Sequence, residues 1–274
     1  MKKLMFVAAL AGAMTGLCDV SSANVVGYAV KDDISIFKDA NNRSFTLLGL
    51  PFKNINSANG NWSLNDLQFS SLTAKLNKDQ ADQIWLWGDT GDGVYDYIPY
   101  FRKNATGWFS CKTTTRTFDQ DYPDGLPAGT AFWFAAYNPN AAIQMTDSGE
   151  VGNADREITI MRGQFQFVSY PFPVNLKLND TDQFDSSNCT TKLNKDQADQ
   201  IWFWMDMGDG TWDYVPFFRK NATGWFSCKS TSTSFSTLYP NGVTVGSGFW
   251  FKSYGTGEDY KITFKTPVPA VSAE

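Results

Sequence analysis

Histidine is absent from this chain of 274 residues. That removes the usual general base, the Ser-His-Asp arrangement, and most zinc and copper sites. Carboxylate, lysine and tyrosine chemistry survive the test; most hydrolase classes do not. Cysteine is scarce, with four residues, and beyond residue 23 the sequence has no apolar run of helix-spanning length. A Lys/Arg cluster is missing too, in a chain that carries −5. Such a chain is poorly suited to neutralising phosphates, which argues against nucleic acid and anionic lipid as partners.

The first residues have the composition of a secretory signal peptide, assigned to residues 1–23. Lys2 and Lys3 precede an apolar run from Leu4 to Leu17, and Val20-Ser21-Ser22-Ala23 offers small residues for cleavage before Asn24. The run is too short to span a bilayer. Cys18 offers the competing lipoprotein processing, but Leu17 stands where a small residue is wanted. Cleavage at Ala23 leaves 21 basic and 27 acidic residues, a charge of −6, on a secreted, extracellular or cell-surface chain.

The remainder is duplicated. Residues 75–111 and 192–228 agree at about 30 of 37 positions, at an offset of 117. Phe132-Trp133-Phe134 recurs as Phe249-Trp250-Phe251, and Leu50-Pro51-Phe52 as Tyr170-Pro171-Phe172. Units this long suit tandem domains rather than solenoid repeats. The expected copies are residues 24–149 and 150–268, followed by a disordered Pro/Ala/Ser tail, 269–274. Each copy reads as all-β. Short aromatic and β-branched runs such as Ile84 to Trp87 and Tyr95 to Phe101 alternate with Gly/Asp turns. A helical apolar period never lasts three turns, and residues 74–82 could make one short helix at most. The fold expected is two homologous β-sandwich-like or barrel-like domains.

Each copy also runs in one order: a VGY or EVG strand, a Phe-rich strand ending in Pro-Phe, an IWxW strand, a Gly/Asp turn, a Gly-Trp, and a Gly-x-x-Phe strand. Here these are Val26-Gly27-Tyr28, Pro51-Phe52, Ile84 to Trp87, Gly107-Trp108 and Gly129 to Phe134. The pattern resembles the small secreted β-repeat proteins of Verrucomicrobia and Lentisphaerae. The resemblance implies a surface or extracellular location and carries no catalytic residues. The extra aromatics and the Lys/Asp stretch before Ile84 depart from it.

Several constellations could carry chemistry. Alternation along a strand puts Trp85 and Trp87 on one face, with Tyr95 and Tyr97 across the hairpin; Trp202, Trp204, Trp212 and Tyr214 repeat the set. Such rings can stack on sugars. They can equally be core, or pack between the two domains. Asp89, Asp92 and Asp96, repeated as Asp206, Asp209 and Asp213, offer oxygen ligands for calcium, although Asp-Gly is also ordinary hairpin chemistry. Asp79 with Asp82, and Asp196 with Asp199, are the available carboxylate pairs, and their lysine-containing stretch reads as solvated surface. Cys189 and Cys228 could pair, leaving Cys111 alone, or all three could be small buried hydrophobes. The sequons at Asn104 and Asn221 matter only in a eukaryotic host.

The expectation is therefore a non-enzymatic surface protein of structural or adhesive role, without a cofactor unless calcium, whose partners are other copies or surface proteins. The alternative is a polysaccharide binder with one aromatic platform per domain.

Overall fold

The computed structural model describes residues 25–31, 43–91, 93–104, 106–137, 143–209 and 211–267. The expected signal peptide, the tail and Asp92 lie outside the described residues.

Among the described residues the alternating runs form sixteen strands, eight in each half. The first half carries β1 (Val25–Lys31), β2 (Ser44–Gly49), β3 (Gln68–Phe69), β4 (Gln83–Asp89), β5 (Tyr95–Lys103), β6 (Gly107–Ser110), β7 (Ala131–Ala136) and β8 (Met145–Val151). The second carries β9 (Arg156–Ile160), β10 (Phe165–Ser169), β11 (Phe184–Asp185) and β12 (Gln200–Asp206). It continues with β13 (Trp212–Lys220), β14 (Gly224–Ser227), β15 (Gly248–Lys252) and β16 (Tyr260–Phe264). Pairing is antiparallel throughout. The first half makes a five-stranded sheet, β2-β7-β4-β5-β6, and a three-stranded sheet, β1-β8-β3. The second repeats both orders as β10-β15-β12-β13-β14 and β9-β16-β11.

The half boundary and two short helices differ from the sequence reading, while residues 74–82 hold one short helical turn within the limit expected. Glu150 and Val151 end β8 rather than opening the second half, so the connection between halves is Gly152 to Asp155. The segment before β4 folds as a single 3-10 turn, Lys78–Gln80, entered by the Asn77 side chain accepting the Asp79 amide. Two one-turn helices, Phe118–Asp121 and Phe235–Leu238, occur where no helix was expected.

In each half the two sheets close as a sandwich over large side chains. Ile84, Leu86, Tyr100, Trp108, Phe132 and Phe134 face inward from the five-stranded sheet of the first half. Phe69 of β3 stacks on Phe134 at 4.9 Å, joining the two sheets. In the second half Phe184 of β11 stacks on Trp225 of β14. Burying such rings contributes roughly 1.5–3 kcal/mol each, so a core of this kind holds a short-stranded fold.

One inward position is not apolar. Asp147 of β8 is 3% exposed, and its Oδ1 has no hydrogen-bond partner among the described residues. By strand register, β16 carries Phe264 at the matching place, stacked on Phe184. Burial pushes the Asp147 carboxyl up to about 7. A carboxyl raised in this way holds its proton longer in the folded chain than in the unfolded one. Its contribution is therefore complete below the ordinary carboxylate range and is lost as pH rises through about 7. Burial also raises Asp82 and Asp199, in the same direction. Urea titrations from pH 5 to pH 8 should show stability falling as pH rises, and Asp147→Asn should flatten that slope. An unaltered slope in the variant would contradict the assignment.

Candidate functional site

The rings expected to form ligand platforms lie on the outer faces of the five-stranded sheets. Strand alternation requires this: with Ile84 and Leu86 in the core, Trp85 and Trp87 point the other way. The hairpin register sets Tyr97 opposite Trp87 and Tyr95 opposite Asp89. In the second half Tyr214 faces Trp204 and Trp212 faces Asp206.

Much of each outer face is covered by the other half. Trp87 meets Trp250 edge-to-face at 4.9 Å, and Trp133 meets Trp204 in the same way at 5.4 Å. Since Trp87 corresponds to Trp204 and Trp133 to Trp250, the two contacts are one contact made reciprocally. Tyr97 with Trp250 and Tyr214 with Trp133 form the next reciprocal pair, at 6.3 and 6.4 Å. Within each half the tryptophan is tied to its tyrosine: Trp250 Nε1 donates to the Tyr214 hydroxyl, and Trp133 hydrogen-bonds Tyr97. Phe167 fills the centre against Trp250, Trp87 and Tyr97. Trp87 Nε1 donates to the Phe165 carbonyl of β10.

The backbones meet in the same reciprocal manner. Gly49 donates its amide to the Gly246 carbonyl, and Ser169, the counterpart of Gly49, donates to Gly129, the counterpart of Gly246. Glycine is required at this approach. A Cβ on Gly49 would lie 2.1 Å from the Ser169 Cβ, and one on Gly248 would lie 2.7 Å from the Leu48 carbonyl oxygen. This is the isologous pattern of a two-fold interface, realised within a single chain.

Of the eight platform residues, Trp87, Tyr97, Trp204 and Tyr214 thus belong to the clamp between halves. Trp85 and Trp202 sit at its margin, half-buried. Trp85 packs between Phe45 and Tyr97, and Trp202 between Phe165 and Tyr214. Their indole N–H groups donate to Gln83 and Gln200, each at 2.7 Å. Lys252 reaches over the Trp202 and Phe165 rings, whereas the matching place in the first half is Ala135. Tyr95 and Trp212 stand half-buried near the hairpin tips.

The carboxylates of the Gly/Asp turns serve the turns. Asp89 Oδ1 accepts the amides of Gly91 and Gly93, and Asp206 accepts that of Gly208. Asp209 accepts both the amide and the hydroxyl of Thr211. Asp96 and Asp213 accept the amides of Tyr97 and Tyr214. Among the described residues no three carboxylates, cysteines or histidines gather into a metal-sized group.

Asp82 and Asp199 correct the solvated reading of their stretch, for both are fully buried. Asp82 accepts the amides of Thr73 and Tyr137, and Asp199 those of Thr190 and Tyr254. Each carboxylate pins a loop to the end of the strand that carries a clamp tryptophan, Trp133 in β7 and Trp250 in β15. Asp199 also takes the Tyr260 hydroxyl. Their partners Asp79 and Asp196 remain exposed in ion pairs with Lys78 and Lys195, so neither pair forms a catalytic dyad.

The Cys189–Cys228 pairing is not made: all three described cysteines are free thiols. Cys189 lies in the second sandwich core, whereas Cys228 has Lys195, Asp196 and Lys252 for charged neighbours, on the outer side of the sheet. Burial pushes the Cys228 thiol up to about 11 and that of Cys111 up to about 12, so both resist thiolate chemistry at neutral pH.

The described fold is thus an all-β protein of two sandwiches joined through their outer faces. No family model matches the chain, and no curated protein or solved structure matches it either.

Two outcomes follow. Gly49→Leu should separate the halves, and Trp87→Ala should cost roughly 3 kcal/mol. Both should expose Gly152 to Asp155 to protease while each half keeps its far-ultraviolet spectrum; unchanged protection would refute the clamp. The native thiols should react with a disulfide reagent at pH 8 far more slowly than in denaturant, and a fast native phase would contradict their burial.

Proposed function

We propose that this is a secreted, non-catalytic protein of the cell surface or extracellular space, with a structural or adhesive role built on its two β domains. One observation carries the reading: the face that a glycan-binding sheet would hold open is used here to lock one half against the other. The leader composition supports export. The turn carboxylates, spent on backbone amides, and the protonated thiols support a role without bond-making chemistry. Rigid sandwiches joined by four residues suit a spacer or adhesin, which must hold its shape under load. Partners would be other surface proteins or further copies of this chain.

The competing reading keeps carbohydrate binding at the platforms, and Trp85 and Trp202 are the rings left to perform it. Calcium, in either reading, would enter at the Gly/Asp turns, and an unchanged melting temperature in EDTA would exclude it.

The test is localisation with function. Intact producing cells treated with protease should lose the protein, and it should start at Asn24. A cytoplasmic chain that retains its leader, or reproducible turnover of a substrate by purified protein, would defeat the proposal. Titration with polysaccharides while following tryptophan emission addresses the platforms. A saturable shift lost in Trp85→Ala with Trp202→Ala would replace the leading reading with the competing one.

A further inference from the structure

An open sheet has two edges, and an uncovered edge is a row of amides and carbonyls ready to pair with another strand. Among the described residues seven of the eight edges are closed or blunted. β2 and β10 end against the other half, where Gly49 donates to Gly246 and Ser169 to Gly129. β6 and β14 are bridged at Phe109 and Phe226, by Thr117 and Ser234. β3 and β11 are two residues long. β9 carries Arg156 and Glu157, the second in an ion pair with Lys261, and charge on an edge discourages pairing. β1 has none of these devices. It runs seven residues, Val25–Lys31, with Lys31 its only charge, and among the described residues it pairs with β8 alone.

The direction of its free backbone groups follows from β8. In an antiparallel ladder a residue sends its N–H and C=O to the same side, and neighbours alternate. Glu150 exchanges both with Lys53, on the side away from β1, at 3.0 and 3.1 Å. Val26 stands opposite Glu150 and so is not hydrogen-bonded to β8; by alternation the same holds for Tyr28 and Val30. Val25, Gly27, Ala29 and Lys31 make the ladder. The amides and carbonyls of Val26, Tyr28 and Val30 therefore point outward along the edge.

We propose that β1 pairs antiparallel with β1 of a second copy of this chain, about a two-fold axis at Tyr28. The register selects this occupant. With Tyr28 opposite the partner's Tyr28, Val26 meets the partner's Val30 and Val30 meets the partner's Val26. Three hydrogen-bonded pairs then use every outward group at once, and the contact is isologous, closing at two copies. Charge agrees with it. The chain carries −5, and β1 brings only the positive Lys31 to the contact, whereas pairing on β9 would meet Arg156 and Glu157. Seven residue pairs bury less than the roughly 1,200 Å² of a standard interface, so the dimer is weak and forms with rising concentration. This deepens the proposed surface role, resting on its export reading, by naming the edge through which copies associate.

The experiment uses the full chain from Asn24. Sedimentation should show monomer passing to dimer as the concentration rises to about 1 mM. Val30→Pro removes an outward N–H that β8 does not use. It should keep the melting temperature and raise the dimer dissociation constant about tenfold or more. Tyr28→Cys should give a disulfide-linked dimer under mild oxidation, since this register sets the two Cα atoms about 5.5 Å apart. Val26→Cys, which faces the partner's Val30, should not, and the unaltered protein with its free thiols is the blank. If Val30→Pro unfolds the sandwich, the two cysteine variants decide. Monomer at every concentration would overturn the proposal, as would a folded Val30→Pro dimer of unchanged strength, or linkage at Val26 without linkage at Tyr28. A monomer would leave export and the surface role standing, whereas a chain retained in the cytoplasm would defeat that role and leave the pairing in solution intact.

Discussion

The edge-to-face seating of Trp87 on Trp250 and of Trp204 on Trp133 is the constraint from which the rest of this architecture follows. An antiparallel sheet that covers a core on one side commonly presents polar side chains on the other. The five-stranded sheets here do not, because both faces carry aromatic residues. Water is a poor neighbour for the second face, and the chain covers it with the face's own duplicate. The contact is therefore self-complementary, as between subunits of a symmetric dimer, with four residues of chain in place of a second molecule. Each aromatic pair adds about 0.5–1.5 kcal/mol beyond area burial, and the reciprocal arrangement supplies each pair twice.

The clamp accounts for only part of the unequal divergence of the two halves, since β2 and β10 also meet across it and differ in sequence. β4, β5, β12 and β13 carry core residues on one face and clamp or clamp-margin rings on the other, and become exposed toward their hairpin tips. These are the strands of near-identical sequence. β8 and β16 touch only their own sandwich, and there Asp147 stands against Phe264 without disturbing the partner half. Packing does not explain the whole block. Leu76 and Leu193 are 70% and 68% exposed in identical surroundings, and the structure offers no account of their retention.

Period-two alternation made the all-β class, the hairpins and the shared face of Trp85 and Trp87 legible in the sequence. It could not say what lies over that face, because alternation describes one sheet and the cover belongs to another. Glycine at 49 and 248 was the local sign of a close backbone approach, and it was passed over. Asp82 and Asp199 were misread for a related reason. Lysine neighbours suggested solvent, but the carboxylates turn inward to amides of Tyr137 and Tyr254 more than fifty residues away. Cys189 and Cys228 looked pairable along the chain, and only the intervening sheet separates them.

A pseudo-symmetric body need not be equivalent at every loop, and this one is not: Asn65 accepts from Arg102, whereas Asn179 accepts the Trp225 amide. The clamp rings Trp87, Tyr97 and Trp133 recur as Trp204, Tyr214 and Trp250, while β2 and β10 beside them differ in sequence. The face that carries most of the tryptophans is thus the least able to change without losing the contact between halves. The loops around β11 and β14 supply none of the clamp rings named above. A side chain can take a different partner there, as Asn179 takes the Trp225 amide, while the clamp contacts recur in both halves. Rigidity and variation are thereby assigned to different layers of the same sandwich.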